Sequence, residues 1–150
     1  MQPALRGTSL VLFAAVSLFF IWFGVTYAGV KDMLWFHAAA IPETVRDQVK
    51  PLYFALMTLI GAASAALGVL GLYVVTVPLR AGVPGAAAIL TITNTIAFAM
   101  AAVTAEKLAA ATGSPTSWTF MGIGLAITLA AFLAHVGSSA MSRSQSGGAK

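Results

Sequence analysis

The stretch PLYFALMTLIGAASAALGVLGLYVVTV, residues 51–77, carries no charge. It exceeds the roughly 20 apolar residues that a helix needs to cross about 30 Å of hydrocarbon. It reads as a membrane span rather than a buried soluble helix. One face holds Gly61, Ser64, Ala65, Gly68 and Gly71, and Leu56, Leu59, Leu67, Leu70 and Val74 lie opposite. Spacings of three and four keep such residues on one side of a helix. In lipid no hydrophobic drive joins helices, and close packing relies on small residues that let backbones approach. Residues 51–77 therefore predict both a span and a neighbouring helix.

Working outward, three further uncharged stretches run between Arg6 and Lys31, Arg80 and Glu106, and Lys107 and Arg143. The expectation is an all-α bundle of four transmembrane helices at about residues 9–30, 52–77, 85–104 and 118–137. These form one membrane domain, 1–137, followed by a Ser- and Gly-rich tail, 138–150, expected to be disordered. Composition agrees: 59% of the 150 residues are hydrophobic, 8% are charged, and mean hydropathy is +0.93. Soluble domains carry about 25% charged residues. Four spans leave no room for a large extramembrane enzyme.

The breaks between spans have local causes. Pro51 suits a first helical turn, and Pro78, Gly82, Pro84 and Gly85 stop the second helix and turn the chain into the third. The third helix is expected to overrun the membrane through Glu106 and Lys107 until Gly113 and Pro115 end it. Thr116 or Ser117 then caps the fourth. A second reading of the first span is a signal peptide cleaved near Thr26-Tyr27-Ala28.

With four spans the termini share a side, which carries Arg6, Arg80, Arg143 and Lys150. The other side carries Lys31, Arg46, Lys50 and Lys107, together with all four acids, Asp32, Glu43, Asp47 and Glu106. The basic count is tied, and the acids neutralise only the second side. The expected orientation has cytoplasmic termini in a bacterial inner membrane. Tyr27, Trp35, Tyr53 and Trp118 form an aromatic belt on the loop side.

The remaining spans have small faces too. The first sets Ala14, Ser17, Gly24 and Ala28 opposite Phe13, Phe20 and Phe23. The third sets Ala87, Thr91, Asn94, Ala101 and Ala105 opposite Ile89, Ile92, Ile96 and Val103. The fourth carries Gly122, Ala126, Ala130 and Ala134. Bulky side chains are then expected to meet lipid or a partner. Gly61, Ala65 and Gly68, with Gly122 and Ala126, are the helix-packing candidates. They serve either the chain's own bundle or an interface in a homo-oligomer or larger membrane complex.

Several chemistries are absent. Without cysteine there is no disulfide, thiolate ligand or cysteine nucleophile. A net charge of +4 is too sparse for a nucleic-acid surface. No ionisable Asp, Glu, Lys or Arg falls within a predicted span, which argues against a proton-coupled small multidrug antiporter. His37 and His135 fall at opposite ends of the bundle, so no metal or haem is expected and no cofactor is implied.

The polar residue at mid-membrane is Asn94, flanked by Thr91 and Thr95. One reading is an interhelical hydrogen bond or Thr back-bonding. The other is a polar anchor for an amphipathic ligand, without a base to make a nucleophile. Between the first two spans, residues 33–41 are too apolar for a solvated loop and too short to span, so they should lie in the interface. Pro42 and Glu43 start a short polar helix over 44–49, with Glu43 placed to pair with Arg46. This segment is a lid, or a docking surface with Trp35, Phe36 and Arg46 as contacts.

Arg6 before the first span, PLYFALM at residues 51–57, Ile60-Gly61 and Ala66-Leu67-Gly68 resemble the small bacterial four-helix membrane proteins that include the DoxX-like group. The resemblance implies a four-helix membrane fold and, for some members, an accessory place in redox assemblies. It transfers no site residue. The leading functional expectation is a non-catalytic accessory or scaffold subunit packing through small-residue faces. The alternative is a carrier or cofactor-independent lipid-modifying enzyme, with a pocket around Asn94 beneath the Trp35 segment.

Overall fold

The computed structural model describes residues 2–147. Five helices follow in order: α1 (Gln2–Ala28), α2 (Trp35–Ala38), α3 (Arg46–Val74), α4 (Ala86–Thr112) and α5 (Thr119–Gly147); among the described residues there is no strand. A 3-10 turn, Glu43–Val45, precedes α3, and a π turn, Val75–Leu79, follows it. Four helices are long and apolar enough to cross a membrane. The chain is an all-α integral membrane protein with one short helix between its first two spans.

The helix ends differ from expectation for definable reasons. The polar helix over 44–49 is not separate. It runs continuously into the span, and Pro51 lies inside α3. Proline forfeits one i→i−4 bond, here to Asp47, in the exposed and charged first turns. Arg46 and Lys50 steady those turns through Glu43 at 3.2 Å and Asp47 at 2.7 Å. Nor does Pro78 end the helix. It sits in the π turn, whose i→i+5 bonds let a neighbouring N–H serve the carbonyl that proline leaves. The chain stops only at Gly82, and Gly85 caps α4; both have positive φ, 77° and 84°, a region glycine adopts without a Cβ penalty.

α4 continues through Glu106 and Lys107 to Thr112, and Gly113 at φ 67° closes it. Ser117 Oγ accepts from Thr119 N, but Thr116 turns back to donate to the Ala105 carbonyl. Glu106 Oε1 accepts from Trp118 N at 3.2 Å, putting a carboxylate where a helix N-terminus favours negative charge. α5 continues to Gly147, so much of the expected disordered tail is helical. Ser138 is 6% exposed and seats the start of that extension on the bundle. Residues 148–150 of the tail lie outside the described residues.

α1 is the central helix. Its small face meets α3 backbone to backbone: a Cβ on Gly68 would lie 2.5 Å from the Ser17 carbonyl, and one on Gly71 2.5 Å from Ser17 Oγ. Gly24 meets Gly61 and Ala65 in the same way. The glycine face of α3 is thus packed within the chain on α1. The bulky side chains of α1 are expected to meet lipid or a partner, yet Phe13 and Phe20 are buried, together with Val16. Phe13 packs with Leu79, Ala87, Leu90 and Ala131, while Val16 and Phe20 pack with Phe98. Phe13 and Phe20 stand four residues before Ser17 and Gly24 and share their side of the helix, and the side left outward carries Val11, Leu18, Trp22 and Val25. Cleavage after Ala28 would remove the element on which α3 and α5 pack.

In α5 the expected stripe is also displaced. Ala126 is exposed, and Gly122 receives the ring of Trp118, the residue just before the helix. The face turned inward carries Gly124, Thr128 and Ala131, with Thr128 and Ala131 fully buried. Alanine carries almost no preference between lipid and protein, so one alanine stripe reads like another. In α4 the expectation holds: Ile89, Ile92, Ile96 and Val103 point outward.

Candidate functional site

The segment between α1 and α3 forms a strap across one end of the bundle, and its clamps are polar. Tyr53, at the head of α3 and 9% exposed, accepts from Leu34 N at 3.2 Å and contacts His37 Nδ1 at 3.0 Å. Burial pushes the His37 imidazole below its ordinary value, so the neutral ring is favoured and can accept the phenol proton. Arg46 donates to Ile41 O at 3.1 Å, to Ala38 O at 2.9 Å and to Glu43 at 3.2 Å. At the far side Ser114 Oγ donates to Phe36 O at 3.0 Å. The strap therefore ties α3 to the loop after α4.

Below the strap lies the more open feature. α3 and α4, although consecutive, scarcely touch, and α4 meets the π turn instead. Between them a groove of about 350 Å³ opens sideways at membrane depth. Its floor is Phe19, Phe20 and Phe23 of α1. One wall is Ile60, Ala63, Ser64 and Leu67 of α3, and the other is Ala97, Phe98 and Ala101 of α4 with Met121 of α5. Phe20 and Phe98 stand 4.9 Å apart between ring centroids, and Phe19 and Phe98 6.0 Å. Gly124 gives the Phe98 ring its seat. Small side chains on both walls leave the space, and the aromatic floor sets its depth. Beyond it, the Gly82–Gly85 turn joins the helices that carry its walls.

The candidates singled out by sequence do not converge on one pocket. Asn94 is 4% exposed, and neither this groove nor a second cavity at the opposite end is lined by it. The Phe98–Gly124 contact fixes the antiparallel register of α4 and α5, so Asn94, one turn before Phe98, is level with Thr128, one turn after Gly124. The Asn94 Nδ2 donor has no hydrogen-bond partner; the expected interhelical bond from that donor is absent among the described residues. Thr91 donates to Ala87 O at 2.8 Å, the back-bonded state, and Thr95 is half-buried beside it. Trp35 and Arg46 belong to the strap. Along α4 they are separated from Asn94 by about 27 Å, the length of 94–112 at roughly 1.5 Å per residue. Arg46 is occupied in holding the strap, and Trp35 is 70% exposed.

His37 lies in the strap and His135 lines the opposite-end cavity, the separation expected. Among the described residues no three His, Asp or Glu gather in a metal-binding group. Sequence reasoning missed Phe19, Phe98, Tyr53 and Ser114. The available signals were the Phe19-Phe20 pair with Phe23 a turn later, and Ser64 interrupting an apolar helix. Comparison with protein families, with curated proteins and with solved structures returns no match to this chain.

Proposed function

We propose that the chain is a non-catalytic integral membrane protein that holds a hydrocarbon chain of a lipid in the lateral groove between α3 and α4. The observation that carries this reading is the groove itself, an aromatic-floored space of about 350 Å³ opening at membrane depth. Ligand pockets have volumes of about 300–1,000 Å³ and mostly apolar walls. Ser64 is the polar side chain on its walls, and no acid, base or imidazole lines it. Such walls can bind and orient a chain but have no group to move a proton. A spanning helix is about 10–12 Å across with its side chains and needs both ends of its path open. A groove of about 350 Å³ is far smaller than such a helix and suits a flexible chain.

Placement in a bacterial inner membrane with cytoplasmic termini is part of the same proposal, supported by the acids that gather on the strap side. The accessory-subunit role implied by the DoxX-like resemblance is the competing reading, and it moves from the glycine faces to this groove. Native mass spectrometry of protein extracted gently with its surrounding lipid separates the two. One retained lipid, lost when Ala63→Phe or Ala101→Phe fills the groove from its exposed walls, supports lipid holding. A stoichiometric second polypeptide, released by the same substitutions, would replace it with the accessory-subunit reading.

A further inference from the structure

At the end opposite the strap a larger cavity, about 1000 Å³, opens between the start of α1, the α3–α4 turn and α5. Its inner wall includes Leu10 and Leu79, and Arg6 and His135 stand with it. Leu79 is 2% exposed, so the apolar wall belongs to the core, whereas Arg6 is exposed. Arg6 donates one N–H to the Arg80 carbonyl. That bond fixes the guanidinium at the rim and leaves the other donors of its five-donor fork for a ligand. The His135 ring makes no hydrogen bond within the described residues; only its carbonyl is used, by Ser138 and Ser139.

The charge balance of the two ends sharpens the point. On the strap side Glu43 pairs with Arg46 and Asp47 with Lys50, and Glu106 meets the start of α5. All four acids of the chain are there. No carboxylate pairs with Arg6 or Arg80 among the described residues. A cationic rim above an apolar wall, at the depth where a span leaves the bilayer, matches an anion attached to hydrocarbon. Arginine binds phosphate through parallel N–H donors.

We propose that this cavity binds the phosphate-bearing headgroup of an anionic phospholipid. Arg6 donates to the phosphate, His135 adds a second hydrogen bond, and the first carbons of the lipid lie on Leu10 and Leu79. The site is separate from the groove between α3 and α4 and stands without it.

The test uses the full chain in mild detergent, titrated with phosphatidylglycerol and separately with phosphatidylcholine, with bound lipid counted by native mass spectrometry. One phosphatidylglycerol should be retained in preference to phosphatidylcholine. Arg6→Gln should weaken that retention about fivefold, the change expected for one cation lost at a membrane surface. Lys107→Gln, an exposed cation on the strap side, should leave it unchanged. His135→Gln breaks no side-chain bond of the fold and supplies the same readout if Arg6→Gln fails to fold. Equal retention of the two lipids, or full retention after both substitutions, would overturn the proposal. Displacement of the lipid by inorganic phosphate at equal concentration would overturn the lipid as the source of the phosphate.

Discussion

Gly24 and Gly61 face each other across α1 and α3 so closely that a Cβ on either would stand 2.5 Å from the carbonyl oxygen of the other. The obstacle is backbone on both sides, so no side-chain rotation can make room. Contacts of this kind let two helices gain van der Waals packing where lipid offers no hydrophobic drive. They also commit the glycine face to the chain's own fold.

Gly61→Leu should therefore destabilise the monomer by about 3 kcal/mol or more, the upper range for overpacking, and Gly24→Leu should do the same. Thermal unfolding in detergent measures the loss, and size-exclusion with light scattering reports the oligomeric state. A variant that keeps its melting temperature and only loses a partner would place this face outside the bundle.

Asn94 predicts the reverse. Its buried Nδ2 has no partner, and a buried unsatisfied donor costs about 1–3 kcal/mol. Replacement by a similar apolar side chain removes that cost, so Asn94→Leu should be neutral or stabilising by up to about 1 kcal/mol. Loss of stability in reversible unfolding would reveal a bond from Asn94 that the fold requires.

The spans were legible because charge exclusion from hydrocarbon is a strong signal: Lys31, Arg80 and Glu106 bracket the apolar runs whatever the packing. Which face of a span turns inward was legible where glycine decided it, as at Gly61 and Gly68, and in α4, where Ile89, Ile92, Ile96 and Val103 crowd one side. In α5 the Ala126 stripe lost to Gly124 and Thr128 because alanine is accepted on either side. The aromatic face of α1 was misread for a related reason. Phe13 and Phe20 suit lipid as well as protein, and their place one turn before Ser17 and Gly24 turns them inward with the small face. The groove was not legible at all, since it results from α3 and α4 failing to pack, a relation between two helices and not a property of either.

The strap depends on Tyr53, whose hydroxyl meets both Leu34 N and His37. Tyr53→Phe keeps the ring and removes both bonds, each worth about 1 kcal/mol. Ser114→Ala removes the tie to Phe36 at the other end. Hydrogen exchange over residues 34–41 should accelerate in both variants, while exchange within α4 stays as in the parent. Equal protection in parent and variants would show that apolar packing alone holds the strap.

The strap should also respond to pH. Burial holds the His37 imidazole below its ordinary value of 6.5, so the docked strap gives up its proton more readily than a released one. Between that value and the lower docked one, the released strap binds more protons, and docking weakens as pH falls. Above 6.5 both forms are neutral at His37 and the dependence vanishes. Protonation also turns Nδ1 from acceptor to donor, so the phenol hydrogen of Tyr53 loses its acceptor. Exchange over residues 34–41, corrected for the intrinsic pH dependence of amide exchange, should be constant from about pH 8 to 7 and rise toward about pH 5. His37→Gln keeps a hydrogen-bonding side chain but cannot titrate there, and should flatten the response. Faster exchange at low pH in His37→Gln as well would assign the change to another group.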